Sequence, residues 1–284
     1  MNENAYVQAV PQPEKKKSGG NMAWIICLIL GAVLFSAGLI LYKVSDEKYY
    51  ETKDYNESFS AENVTKLDID TEWADLTISR SKDDMIHINA IDVPEAFTAD
   101  IKNGTFTTYY QNSTPFYVHL PRFLKKSYSS STVEIELPEK EYSSLILDMG
   151  AGETRVSDIE CDTLKIKCGA GNVSFNNIDC TDGKFECGAG EVTISNIDCK
   201  NKLKVDGGAG QITINGTLGG IDVDQGFGEF IFNGTMNGNI DADGGVGEMT
   251  FNLTNPSSDF GSNGKYRLDI DTGLGSSSVN YDQK

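Results

Sequence analysis

A glycine-x-glycine triplet that recurs along the second half of the chain is the feature that most constrains its fold. The first glycine of each copy falls at positions 150, 169, 188, 208, 226, 245 and 273, which gives spacings of 19, 19, 20, 18, 19 and 28 residues. The last interval equals one normal unit plus an insertion of nine residues within 252–264. Self-similarity at such a short period predicts a repeat protein in which each unit packs on its neighbours.

Apolar and polar residues alternate on both sides of each triplet. Around the triplet that begins at Gly226, Ile221 and Val223 precede it, and Phe230 and Phe232 follow it. Period two on both sides predicts two half-buried strands joined by a glycine turn, and a further apolar position in each unit marks a third strand or corner. The middle residue of the triplet is apolar in every copy, so we expect it to point into the core. These middle residues are Ala151, Ala170, Ala189, Ala209, Phe227, Val246 and Leu274.

The frame of the repeat also occurs upstream, from Leu67 to Ile78, with Trp73 in the middle place and no glycines. A unit of about 19 residues cannot bury its apolar side alone, whereas stacked copies can. We therefore predict an all-β fold, a parallel β-helix or β-solenoid with coils about 4.8 Å apart, over residues 59–284 with an insertion at about 109–131. A right-handed solenoid is favoured, and a left-handed β-helix and a β-sandwich remain alternatives.

An uncharged segment of 21 residues runs from Met22 to Tyr42. At about 1.5 Å per residue it spans the roughly 30 Å hydrocarbon core of a bilayer, so we predict a transmembrane helix at 22–42, after a tail at 1–21 and before a juxtamembrane linker at 43–58. Three lysines at 15–17 precede the helix and acids at 46 and 47 follow it. The positive-inside rule then predicts a single-pass protein of the cell membrane with a cytoplasmic N-terminus and an extracellular C-terminal domain. A cleaved signal peptide is the alternative.

The charge of the chain argues against nucleic acid as a partner. The formal net charge is −18, and residues 1–44 contain four lysines and two acids, which leaves about −20 on the rest. Such an acidic surface repels phosphate backbones.

Five cysteines recur in phase with the inward positions. Cys161, Cys180 and Cys199 occupy one position in successive units, and Cys168 and Cys187 occupy another. We interpret them as buried thiols that act as small apolar groups; disulfides between coils are the alternative, although parallel Cβ vectors disfavour them. No C-x₂-C spacing or histidine cluster accompanies them, so no metal site is predicted.

Carboxylates recur after the triplets as well, at Glu153, Glu191, Glu229 and Glu248. Solenoid lyases and glycosidases use stacked acids, but every solenoid alternates polar residues outward, so we interpret these as a solvated face. Weak cation binding and catalysis are the alternatives. The two histidines lie at 87 and 119, without the partners of a nucleophilic triad. We predict no enzymatic activity and no cofactor.

Three further segments complete a resemblance to a known family: Leu67-Asp68-Ile69, Lys102–Phe106 and Glu136-Leu137-Pro138. With these and the triplets, the chain resembles the bacterial putative-adhesin family of β-strand-repeat proteins over most of residues 59–281. The resemblance implies a solenoid-like domain in the bacterial envelope, often behind a membrane anchor. The resemblance identifies no catalytic residues in this chain.

The insertion at about 109–131 gathers aromatic and basic side chains on an otherwise acidic domain. Such a cluster could contact anionic cell-wall polymer, lipid head groups or an envelope protein. The alternative is a loop whose aromatic rings pack on the flank of the solenoid. The candidate binding residues are Tyr109, Tyr110, Phe116, Tyr117, Arg122, Phe123, Lys125, Lys126 and Tyr128.

These features together predict a non-enzymatic cell-envelope protein that presents a rigid β-solenoid for binding or adhesion. The lipid bilayer is its expected partner through the N-terminal helix, with cell-wall polymer or an envelope protein as a second partner. An accessory or sensor of an envelope-stress pathway is one alternative. A carbohydrate-active β-helix enzyme is another.

Overall fold

The computed structural model describes residues 52–72, 74–110 and 131–282. The predicted tail, the predicted transmembrane helix at 22–42 and the first part of the predicted linker lie outside these ranges. Within them, no helix is long and apolar enough to cross a membrane.

The described ranges form twelve β-strands and one 3₁₀ turn at Ser257–Asp259. Strand β8 is long because it passes through three triplets and the corners between them. The strands are β1 (Thr52–Ser60), β2 (Lys66–Asp70), β3 (Asp75–Arg80), β4 (Met85–Pro94), β5 (Phe97–Lys102), β6 (Thr105–Tyr110), β7 (Thr132–Leu137), β8 (Glu141–Cys199), β9 (Leu203–Leu218), β10 (Ile221–Met236), β11 (Ile240–Leu253) and β12 (Leu268–Tyr281).

Strands β8 to β12 stack in parallel, one repeat unit on the next. Phe227 lies beside Ala209 of the preceding unit and Val246 of the following one, and the register holds along both sides of the triplet. Each unit is thus one coil, with a first arm before the triplet and a second arm after it. The prediction of an all-β fold built of parallel stacked coils is confirmed.

Short connections, which we call return loops, lead from the second arm of one coil to the first arm of the next. After β8 they comprise residues 200–202, 219–220, 237–239 and 254–267. Loop length accounts for the short spacing of 18 and the long spacing of 28, because the paired arms keep one register from β9 to β12. The spacing of 20 comes instead from one extra residue in the second arm of β8, where the register shifts between Ile194 and Ile197.

The core is a set of columns of inward side chains that run through the stack. Phe230 and Phe232 of β10 and Phe251 of β11 are fully buried, and their rings contact one another with centroids 5.5 and 6.4 Å apart. The third apolar position of each unit is buried too, for example at Ile178 and Leu218. Neighbouring coils supply the apolar contacts that a single coil lacks.

The N-terminal end of the stack is closed by antiparallel strands. β1 pairs with β4 and β4 pairs with β7. Tyr55 and Phe59 of β1 pack on the core, and β1 pairs with β4 from Thr52 onward. Residues 52–58, predicted as linker, therefore belong to the folded domain.

The glycines of the triplet form two columns in which neighbouring coils approach closely. A Cβ atom on Gly169 would lie 2.3 Å from the carbonyl oxygen of Gly150. The second glycine also has a positive φ, which is +127° at Gly190, where a Cβ atom would lie 2.0 Å from the carbonyl oxygen of Gly171. Both the backbone angle and the space at the second glycine exclude a side chain.

The middle residue of the triplet points outward, so the prediction that it points into the core is wrong. Phe227 is 61% exposed and Leu274 is 76% exposed, while Ala170 and Ala189 are exposed as well. The cause is the bend at the turn. The last inward residue of one first arm is Met149 and the next inward residue is Thr154, five positions later, so strict alternation does not continue through the glycines.

Polar ladders bind the coils together on the outside. The side-chain Nδ2 of Asn233 donates to Oδ1 of Asn215, that of Asn252 to Asn233 and that of Asn280 to Asn252, over 2.8, 2.7 and 2.8 Å. Each amide therefore hydrogen-bonds its counterpart one coil away, as in stacked asparagine ladders.

Candidate binding surface

The sequence-predicted binding residues fall mostly outside the described ranges, which hold Tyr109 and the backbone of Tyr110. Tyr109 lies on β6, is 40% exposed, and has Nζ of Lys102 at 6.0 Å from the centre of its ring. The strand places one aromatic side chain at the surface where the insertion begins. Phe116, Tyr117, Arg122, Phe123, Lys125, Lys126 and Tyr128 lie outside the described residues, and the predicted cluster stays a prediction.

A surface that sequence reasoning missed lies on the last coils. Phe227, Val246 and Leu274 are the middle residues of the last three triplets, and they are 61%, 40% and 76% exposed. They pair in register on β10, β11 and β12, one coil apart. We call these three side chains the apolar ridge.

The ridge stands on a backbone that has little freedom to move. Glycines flank each of its residues, and their Cα atoms touch the coil before; a Cβ on Gly228 would lie 1.9 Å from the carbonyl oxygen of Gly210. The buried side chain of Gln225 donates from Nε2 to the carbonyl oxygen of Phe227 over 3.1 Å. Gln225 therefore holds the backbone of the Phe227 turn from inside.

Space for Gln225 comes from glycines at the equivalent position of the neighbouring coils. A Cβ on Gly207 would lie 2.0 Å from Oε1 of Gln225, and this oxygen has no hydrogen-bond partner among the described residues. Two shallow depressions, of about 200 and 190 Å³ including their open mouths, lie on either side of this side chain. Both are smaller than the 300–1,000 Å³ of ordinary ligand pockets.

Acidic side chains border the apolar ridge on both sides. Asp224, Asp243 and Asp271 precede the triplets and are exposed, and Glu229 and Glu248 follow them. Asp224, Asp243 and Glu248 form no ion pair with any lysine or arginine of the described ranges. The ridge is therefore an apolar line between two lines of carboxylates, a surface that matches apolar groups flanked by cations.

The five cysteines of the coils point inward, as their phase predicts, and are free thiols. Cys161, Cys168, Cys180 and Cys199 are buried and Cys187 is half-buried. Burial raises the pKa of Cys161 to about 12. A buried thiol with a raised pKa is a poor nucleophile, because the thiolate is the reactive form.

Two observations describe the chemistry of the remaining acids. Within the described part of the chain, no three His, Cys, Asp or Glu side chains are grouped so that they could hold a metal ion. Desolvation raises the pKa of Asp70, whose carboxylate accepts the backbone N–H of Glu72 over 3.1 Å. That contact caps a turn of the first coil, which gives Asp70 a structural role.

One signal in the sequence could have revealed the ridge. The middle residue is alanine in the first four triplets and Phe, Val or Leu in the last three. A column that fills a core of constant width has no reason to change size, whereas a surface column can do so freely. The change in size therefore pointed to the surface.

Comparison with known proteins gives one family. The sequence profile described as Toastrack DUF4097 matches residues 64–272. A search of curated proteins finds no match.

Solved structures resemble the chain at low identity. A putative adhesin from Bacteroides fragilis is 13% identical, with 82% of this chain and 99% of that chain covered and a TM-score of 0.42. A putative lipid binding protein from Parabacteroides distasonis is also 13% identical, with 81% and 97% covered and a TM-score of 0.42. A putative cell adhesion protein from Clostridium sporogenes is 12% identical, with 82% and 100% covered and a TM-score of 0.32.

Proposed function

The chain belongs to the Toastrack DUF4097 family, and we propose that it is a non-enzymatic cell-envelope protein that presents a rigid β-solenoid for binding. The observation that carries the proposal is the apolar ridge. Three large apolar side chains exposed in one line are what a contact surface requires, since they lose water when a partner covers them.

Rigidity is the second support. Ordering a flexible surface costs conformational entropy on binding, and a surface that is already fixed avoids that cost. The ridge is fixed by the two glycine columns and by the hydrogen bond from Gln225 to the turn of Phe227. A partner therefore meets side chains that are held at a regular spacing of one coil.

The borders of the ridge define the chemistry of the partner. Carboxylates on both sides attract cations and repel anionic polymers, so the fitting partner is a protein segment with apolar side chains flanked by lysine or arginine. Exposed carboxylates in straight columns also favour a solvated face over a catalytic pair, since glycosidases hold two acids across a cleft.

The location of this surface in the cell is a prediction from the sequence alone. The predicted transmembrane helix at 22–42 and the lysines before it would place the solenoid outside the cell membrane. The predicted aromatic and basic cluster, Tyr109 to Tyr128, would form a second contact for anionic material. A role as an accessory of envelope-stress signalling stays a prediction.

The experiment uses peptides of known chemistry. The purified full chain is tested against immobilised peptides with alternating leucines flanked by lysines, the same leucines flanked by glutamates, and serines flanked by lysines. We expect binding to the first peptide alone, weakened by salt because exposed charges are screened over about 8 Å at physiological ionic strength. The double variant Phe227→Ser with Val246→Ser should weaken binding about tenfold or more.

The matched control is Ala170→Ser, which changes the same column of the solenoid four coils away from Val246. It should bind as the unchanged protein does. Equal binding of all three peptides, or binding that survives the double variant, would refute the ridge as the contact surface.

A further inference from the structure

No described strand covers the C-terminal end of the stack, unlike the N-terminal end; we call this end the open end. β12 is the last strand in the sheet order and pairs with β11 alone among the described strands. Ile221 and Ile240 are fully buried, whereas Leu268 in the same column is half-buried. The core columns of the solenoid therefore run out into solvent at this coil.

The second arm of β12 shows the same loss of cover. Phe232 and Phe251 are fully buried, while Val279 in their column is half-buried. Tyr281 is half-buried and keeps one ring contact with Phe260 of the last return loop, at 6.0 Å between centroids. Two arms of inward apolar side chains thus stand at an end that no described strand covers.

Backbone hydrogen-bonding groups face this open end as well. In earlier coils the N–H of Leu203, Ile221 and Ile240 each donates to a carbonyl oxygen of the following coil, over 3.0, 3.0 and 2.9 Å. Leu268 occupies the same register, so its N–H points to the place of a following coil. Alternation along the strand gives the same direction to residues 270 and 272.

Backbone groups of the second arm of β12 face the open end too, by the same reasoning. The N–H of Asp282 donates back to the carbonyl oxygen of Leu253 over 2.9 Å. Alternate residues of a strand point to opposite edges, so residues 277, 279 and 281 present their backbone groups to the open end. Unpaired edges of this kind are templates for pairing with another strand.

We propose that this open coil is an interface at which two copies of the chain pair, edge to edge, about a two-fold axis through the turn at Leu274 and Gly275. An antiparallel pairing centred there joins Leu268 with Tyr281 of the second copy and Ile270 with Val279 of the second copy. Every pair joins two residues whose backbone groups face the open end, as hydrogen-bonded antiparallel pairs require.

The charge pattern of β12 is compatible with pairing to β12 of a second copy of the chain. In the same register Asp269 lies opposite Asn280 of the second copy, and Asp271 lies opposite Ser278 of the second copy. No carboxylate faces another, although the domain is strongly acidic. A shift by one residue would place apolar side chains opposite polar ones, so one register is favoured over its neighbours.

Pairing at this end also completes the solenoid. It covers the half-buried columns of Leu268, Ile270 and Val279 and satisfies the edge-facing backbone groups in both copies at once. It joins the two apolar ridges at Leu274, the most exposed large apolar residue of the described ranges. The contact is isologous, which is the commonest arrangement in homodimers.

The test compares two changes at one exposed position of the open edge. Ser277→Pro removes an edge-facing N–H and adds a ring there, and the side chain of Ser277 is exposed in this last coil. Ser277→Ala keeps the N–H and is the matched control. Both are studied in the full chain, in a nonionic detergent, by sedimentation over a range of protein concentrations.

We expect a concentration-dependent dimer for the unchanged chain and for Ser277→Ala, and dimerisation at least about tenfold weaker for Ser277→Pro. A photo-crosslinking p-benzoylphenylalanine in place of Leu274 should join two chains, and the same group in place of Ala151, in the first coil with a triplet, should not. A monomer at all concentrations overturns the proposal. So does a dimer that survives Ser277→Pro or that crosslinks equally well from position 151.

The sedimentation test can fail while the peptides still bind the ridge, and the reverse holds too, because Phe227 and Val246 lie away from the open edge. The two proposals therefore stand or fall separately.

Discussion

Replacing Gly190 by alanine tests the close approach of coils at the second glycine column. The backbone angle φ at Gly190 is +127°, and an alanine Cβ there would lie 2.0 Å from the carbonyl oxygen of Gly171. A residue held in a region that only glycine occupies readily costs about 1–3 kcal/mol. The two coils must also separate by more than 1 Å to restore an ordinary contact, since real Cβ atoms essentially never come closer than 3.0 Å.

Such a separation breaks inter-coil hydrogen bonds beside the turn, each of which contributes about 0.5–1.5 kcal/mol. With two bonds lost, we expect Gly190→Ala to lower the free energy of unfolding by about 2–6 kcal/mol. For a domain of this size each kcal/mol lowers Tm by about 2–4 °C, so the expected fall is on the order of 10 °C. Thermal unfolding followed by far-ultraviolet circular dichroism measures it.

Neighbouring positions provide the controls. Ala189→Asp places a charge on the exposed middle residue and should change the free energy of unfolding by less than about 1 kcal/mol, as should Glu191→Gln. If Ala189→Asp lowers Tm as much as Gly190→Ala, the outward direction of the middle residue is wrong. If Gly190→Ala melts like the unchanged protein, the close approach of the coils is wrong.

Further predictions concern the inside of the coils and the asparagine ladder. Gly207→Ala should destabilise the chain through contact with Gln225, and Gln225→Ala should relieve much of that cost, which a double-mutant cycle of thermal melts detects as coupling. Asn252→Ala, which breaks two ladder bonds, should cost about twice as much as Asn280→Ala, which breaks one; equal costs in urea unfolding would contradict the ladder. The thiol of Cys161 ionises near 9 when unfolded and near 12 when folded, so the unfolded state binds fewer protons between these values and stability should fall as pH rises through that window. A Cys161→Ala variant should show a shallower fall in urea titrations at alkaline pH.

The stacking of coils could be predicted because the repeat encodes it directly. Equivalent residues such as Ile221 and Ile240 lie beside each other in neighbouring strands, and the period of about 19 residues is the length of one coil. Inward columns on both arms follow from alternation alone. The resemblance to adhesin-like repeat proteins is confirmed by the match to the Toastrack DUF4097 family.

The direction of the middle residue could not be obtained from alternation. Alternation holds within a strand but not through a bend, and the glycine turn shifts the phase between Met149 and Thr154. Apolar character at the middle place was therefore compatible with either face. The apolar ridge of Phe227, Val246 and Leu274 was missed for this reason.

The antiparallel strands that close the N-terminal end could not be predicted from the repeat either. β1 and β4 pair in antiparallel, and neither carries a triplet. The aromatic residues of β1 that pack on the core lie in a segment whose polar composition resembles a linker. Long-range pairing of this kind leaves no local periodic signal, because the partner strand lies about 30 residues along the chain.

Return loops of very different lengths leave the geometry of the stack unchanged. A loop of two residues at 219–220 and one of 14 residues at 254–267 both deliver the next first arm into the same register. The longer sequence at 254–267 changes neither the register of β12 on β11 nor the glycine columns. The exposed tip of this last return loop, at 261–263, is consequently the position at which a foreign segment, such as an epitope or a small reporter domain, can be grafted onto this solenoid without disturbing its core.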